Sequence, residues 1–206
     1  CLKNNLPALA ITDTSNLFGA LEFSLKMLSC GVQPIIGMQV NICGEGEHNS
    51  NIGEVVLIAK NDKGYKNLLF LTSGMLNNEN GDKYIKSNQL EKFKDGLILL
   101  TGGIENGFLG KPASLNNTKL VHRRLNYLKK IFDDNLYIEL QRHGIKYQVI
   151  AEEILIDFAD KFDLPLVATN DCYFENENKF DAHQVLTCID KGLTISSENR
   201  RVLTKE

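Results

Sequence analysis

The 206-residue sequence predicts an α/β protein in which a largely parallel sheet or barrel is covered by helices. Two observations carry this. Short runs rich in Val, Ile and Leu alternate with longer stretches of helical periodicity along most of the chain. Those runs hardly alternate apolar with polar, the pattern expected of strands buried on both faces. No internal repeat or low-complexity tract interrupts them, so a single domain over residues 1–206 is expected, with 181–206 leading away from it.

"CLKNNLPALA" reads as the tail of a helix entering the first strand, "PALAIT" (7–12), and a segment before Cys1 is expected. In "NLFGALEFSLKMLSCG", Phe18, Leu21, Leu25 and Leu28 recur at helical spacing and Gly31 supplies the stop. The strands "QPIIGMQVNI" (33–42) and "EVVLIA" (54–59) flank the Gly-, Asn- and Glu-rich "CGEGEHNSNIGE", a hairpin-type loop that breaks the strand–helix alternation. A helix over 64–76 follows, then a polar stretch at 77–89 that reads as a surface loop. "GLILLT" (96–101) is a strand and 112–118 another surface loop. The helix at 119–132, the strand "NLYIEL" (135–140), the helix at 147–162 and the strand "LPLVAT" (164–169) restore the alternation.

Lys and Arg total 23 against 26 Asp and Glu, so no global basic field advertises nucleic-acid binding. Contact with DNA must be local or lie elsewhere. The five cysteines are odd in number, scattered and free of C-x-x-C pairs, which points to reduced thiols in a cytosol-like compartment. No apolar run approaches the ~20 residues that span a bilayer.

Several strands end in polar or ionisable groups: Thr12-Asp13-Thr14, Gln39 within the second strand, Glu139 to His143, and Asn170-Asp171. In parallel α/β barrels the C-terminal strand ends converge on one face, where sites are built. His143 stands where a ligand or general base is useful, or where a loop histidine is simply capped. Asp13 and Asp171 each follow a buried strand, and each also suits a helix or turn N-cap. Strand alternation turns Cys172 away from Asp171 and puts Tyr173 on the same side. His183 begins an apolar helical pattern and reads as structural, whereas His48 and His122 read as solvated. The charges of "HRRLNYLKK" are expected on a solvent face, and "TGG" (101–103) lacks the Lys-Ser/Thr of a phosphate loop.

"ITDTSNLFGALEF", "QPIIGMQV", "VVLIAKNDKGYKNLLFLTS", "GLILLTGG", "LYIELQRHG", "LPLVATNDCYF" and "DAHQVLTCIDKGLTISSENR" follow one another in the order and spacing of a known domain family. They resemble the polymerase-and-histidinol-phosphatase (PHP) domain of bacterial replicative DNA polymerase III alpha subunits. "NLFGALEF", "NDKGYKNL" and "GLTISSENR" resemble the polymerase branch in particular. The resemblance implies a distorted β/α (TIM-like) barrel of the PHP type whose opening H-x-H strand would precede Cys1. In intact members the strand ends hold a multinuclear metal cluster that activates water against a phosphoester.

Carried over by position, the ligand set is incomplete. Asp13 matches the aspartate of "TDH", but Thr14 replaces the histidine; Gln39 replaces the glutamate of "PIIGxE"; His143 matches the histidine of "ELQRHG". Asp171 matches the aspartate of "NDxH", and Tyr173 replaces its histidine. The resemblance therefore implies a degenerate site: Asp13, His143 and Asp171 are vestigial or weak ligands for residual Zn or Mn, with no confident catalytic residue. The implied role is an inactive scaffold that docks the proofreading exonuclease subunit among the other polymerase III holoenzyme subunits. The parent chain would carry DNA-directed synthesis with Mg and the contact with DNA, in the bacterial cytoplasm without membrane attachment. The rival expectation is a working metal-dependent phosphoesterase or 3'–5' exonuclease.

Overall fold

A computed structural model describes residues 1–44, 52–77, 83–144, 146–170, 172–174 and 176–197. Of the residues singled out in the sequence, His48 and Asp171 lie outside that set, as does much of the predicted hairpin loop.

Six strands form one sheet in sequence order: β1 (Ala8–Ile11), β2 (Gln33–Cys43), β3 (Ile52–Ala59), β4 (Leu97–Leu100), β5 (Leu136–Leu140) and β6 (Leu166–Ala168). β1 pairs parallel with β2, and β4, β5 and β6 pair parallel in turn; β3 alone runs against both its neighbours. The sheet curls into a half-barrel. The antiparallel β2–β3 pair, from Gly37↔Ile58 to Cys43↔Ile52, is the hairpin that the sequence predicts. Because the other five strands share a direction, their C-terminal ends lie on one rim.

The strand residues explain which face is covered. Met38, Val40 and Ile42 of β2, Val55 and Leu57 of β3, Leu97 and Leu99 of β4, and Leu136 and Ile138 of β5 are almost wholly buried. They pack with Leu68 and Leu71 of α2 (Asp62–Leu76), Leu125 and Leu128 of α5 (Thr118–Phe132), and Leu155 of α6 (Lys146–Phe162). Side chains of opposite parity, such as Gln39, Val56, Ile58, Ile98 and Tyr137, are only half-buried. The expectation of burial on both faces is thus corrected: one face lies under helices and the other remains partly open. A curled, unclosed sheet does not pack its concave side against itself as a closed barrel does.

In α1 (Ala20–Ser29) the periodic apolar residues are not the ones that pack. Its inward side is Ala20, Phe23, Ser24 and Met27, while Leu21, Leu25 and Leu28 are 62–71% exposed and Phe18, just before it, is 81% exposed. Helical spacing located the helix but not the side that packs. Asn61 and Asn117 cap α2 and α5 by accepting the amides of Gly64 and Leu120.

Two further readings change. The stretch at 83–92 is no mere surface loop: Tyr84 and Ile85 are buried, Ile85 bridges Ile42, and Ser87–Lys92 form α3. At 112–118, Pro112 and Ala113 belong to a short buried helix, α4 (Gly110–Ser114). Within "HRRLNYLKK", Arg124 is 4% exposed; its guanidinium donates to the Phe108 carbonyl at 2.7 Å and lies 4.3 Å from the centre of the Phe108 ring. α7 (Phe180–Asp190) buries Phe180, Gln184 and Cys188 along one side.

Candidate functional site at the strand-end rim

β1 and β2 build one end of the rim. The parallel pairing runs past β1 to an isolated bridge between Thr14 and Gln39. The Gln39 amide donates to the Asp13 carbonyl at 3.1 Å, and the Ser15 amide donates to the Gln39 carbonyl at 2.8 Å. Thr14 and Gln39 are therefore direct neighbours, with Asp13 beside them. Asp13 and Thr14 are exposed and Gln39 is half-buried.

β5 and β6 build the other end. After β5 the turn carrying Arg142 and His143 is tied back to α6: the His143 amide donates to Gln148 Oε1 at 2.8 Å, and Arg142 donates to both carboxylate oxygens of Glu152 at 3.0 and 2.5 Å. That guanidinium holds the Glu152 carboxyl below the usual glutamate range, chiefly through the hydrogen bond. The His143 Nε2 is buried without a hydrogen-bond partner among the described residues. After β6, the Thr169 amide donates to the Leu140 carbonyl at 3.1 Å. Tyr173 is 49% exposed, and its ring packs on His183 of α7. Asp171, between them, is not described.

The two groups occupy strands at opposite edges of the sheet, so the rim is shared but the residues are not all adjacent. Among the described residues no group of three or more His, Cys, Asp or Glu side chains is arranged to hold a metal ion.

At the β4–β6 end lies a polar cluster to which the sequence assigned no role. Glu139 is 4% exposed. Its Oε2 accepts the Gly102 amide at 3.0 Å, and its Oε1 accepts the Thr169 hydroxyl at 2.5 Å and the Gln141 amide group at 3.1 Å. The Glu139 amide donates to the buried Thr101 hydroxyl at 3.0 Å. Gly102 has φ +82°, and a β-carbon there would stand 2.1 Å from the Glu54 carbonyl oxygen, so the "TGG" turn is glycine for close backbone approach. The signal available in the sequence was the polar run Glu139–His143 after an apolar strand, which marked the place but not the partners. The Tyr173–His183 contact had no signal at all, being made across the 3₁₀ turn Glu177–Lys179.

Comparison with known proteins gives the family. The model of the PHP domain matches residues 1–143. DNA polymerase III subunit alpha of Caulobacter vibrioides is 37% identical over 98% of this chain and 18% of its own, and that of Borreliella burgdorferi is 35% identical over 96% and 18%. The chain thus spans under a fifth of the length of these relatives. Among solved structures, a Bifidobacterium adolescentis protein assigned as a metal-dependent phosphoesterase is a loose likeness, with TM-score 0.46, 12% identity, and coverage of 81% of this chain and 77% of its own. With its family model matched over more than half its length, the chain belongs to the PHP domain family.

Proposed function

We propose that this PHP domain is a degenerate, catalytically inactive scaffold of a bacterial replicative DNA polymerase III alpha subunit, docking the proofreading exonuclease and bracing the polymerase body. The observation that carries this reading is the direct apposition of Thr14 and Gln39 on the rim. A cluster of closely spaced dications needs anionic carboxylates and neutral imidazoles to offset the repulsion between the ions. A hydroxyl and a carboxamide offer neutral oxygens only. Tyr173 adds a phenol, another neutral oxygen, where the resemblance has an imidazole. The residues present do not fit a multinuclear centre.

His143 Nε2, buried and without a hydrogen-bond partner among the described residues, favours a second reading in which one Zn or Mn ion is held by His143 with Asp13 and Asp171. In that reading the domain retains metal-dependent phosphoesterase or 3'–5' exonuclease activity. The synthetic activity with Mg, the contact with DNA, the holoenzyme partners and the cytoplasmic location belong to the proposal for the parent chain. No helix among the described residues is long and apolar enough to cross a membrane.

Elemental analysis after equilibration with zinc and manganese separates the readings. The scaffold reading expects no stoichiometric metal. One or more ions per chain overturns it and directs attention to nuclease and phosphatase assays, with Asp171→Asn as the control.

A further inference from the structure

We infer that Glu139 is the centre of a hydrogen-bonded lock that holds the rim ends of β4, β5 and β6 together without a bridging cation. The cation-free part rests on the scaffold reading above; the lock itself rests on geometry alone. A carboxylate taken out of water is destabilising unless its oxygens are satisfied. Here both oxygens are satisfied by uncharged donors from three strand ends: the Gly102 amide after β4, Gln141 after β5 and the Thr169 hydroxyl after β6. Among the described residues no Lys or Arg forms an ion pair with Glu139. Gln141 Nε2 also reaches Thr169 Oγ1 at 3.3 Å, so the donors bond to one another as well as to the carboxylate.

The lock matters most at β6. That strand is three residues long, and its burial pattern is exposed, half-buried, exposed. Few apolar contacts hold it, so hydrogen bonds to a charged acceptor, which are about twice as strong as neutral ones, weigh heavily there. Thr169 closes the β6 segment, its amide bonded to the Leu140 carbonyl, so what fixes its hydroxyl fixes where that segment leaves the sheet. Glu139 is a positioning residue for that segment.

Hydrogen–deuterium exchange with peptide resolution on the intact protein tests this. Glu139→Gln should speed exchange about tenfold or more at Gly102 and over 166–169, leaving the β2–β3 peptides unchanged. Thr169→Val, a milder change at a half-buried position, should do the same at β6 even if Glu139→Gln fails to fold. Wild-type exchange should not respond to a strong chelator. Unchanged exchange at both positions in the variants overturns the lock while leaving the scaffold reading intact. A chelator response overturns the cation-free part and the scaffold reading with it; the lock then survives only if the variants still loosen β6.

Discussion

The Tyr173 ring lies against the His183 imidazole, with centroids 5.2 Å apart and planes tilted by 36°. Phe174 approaches the same imidazole at 5.5 Å and meets Phe180 edge-on at 5.9 Å. Offset and edge-on ring contacts of this kind contribute about 0.5–1.5 kcal/mol each beyond their area. Tyr173 is therefore integrated with α7. Restoring one imidazole by Tyr173→His removes that packing and supplies a single donor, so it should leave metal content unchanged. The triple change Thr14→His, Gln39→Glu and Tyr173→His should increase bound zinc or manganese, measured by elemental analysis. A triple variant with native circular dichroism and no added metal would falsify the account of site decay.

The two sides of the molecule should respond oppositely to truncation. Leu128 of α5 is 0% exposed within the main core, and Leu128→Ala should cost about 2–5 kcal/mol in urea unfolding. Leu25 of α1 is 62% exposed, and Leu25→Ala should stay within about 0.5 kcal/mol. A Leu25→Ala loss comparable to that of Leu128→Ala would mean that the α1 stripe is covered in solution.

These contrasts show what the sequence carried. Strand positions were legible because runs such as "EVVLIA" and "GLILLT" are dense in β-branched and aliphatic residues, and the β2–β3 hairpin because turn-forming residues stand between two such runs. The helix-facing side was not, because Leu21, Leu25 and Leu28 on one side of α1 compete with Ala20, Phe23 and Met27 on the other. Apolar periodicity cannot rank two apolar faces. At the rim, Asp13 and His143 were legible as groups that follow strands and Gln39 as a polar residue inside one, and the apposition of Thr14 and Gln39 follows only from the β1–β2 register. Glu139 escaped because its partners sit 37 and 30 residues away on other strands.

Arg124 makes a separate prediction, since a charged residue on a predicted solvent face proved to be buried. Its guanidinium donates to the Phe108 carbonyl and stacks over the ring of the same residue, which is itself fully buried. Arg124→Ala should cost about 2–4 kcal/mol in chemical denaturation, because it removes a charged hydrogen bond and a cation–π interaction together. Arg124→Lys should recover little of this, because an ammonium lacks the planar face that stacks on a ring. Full recovery by lysine would mean that charge alone is what the site requires.

The Arg142–Glu152 pair sets an acid dependence beside His143. The guanidinium donates to both oxygens of Glu152, and that hydrogen bond is the largest cause holding its carboxyl below the ordinary glutamate value, with charge attraction adding to it and burial opposing it. A carboxyl whose folded-state pKa is depressed contributes stability that is complete above its unfolded value, ~4.3, and is lost as pH falls through the lower folded value. Glu152→Gln removes the carboxylate at every pH. The variant should therefore melt below the wild type at neutral pH, by a small margin because Arg142 is largely exposed. The gap should close as pH drops below ~4, where the wild-type carboxyl also gains its proton. Thermal melts of both proteins between neutral and acid pH test this, and a gap that stays constant across that range would show that Glu152 acts through its shape and not its charge.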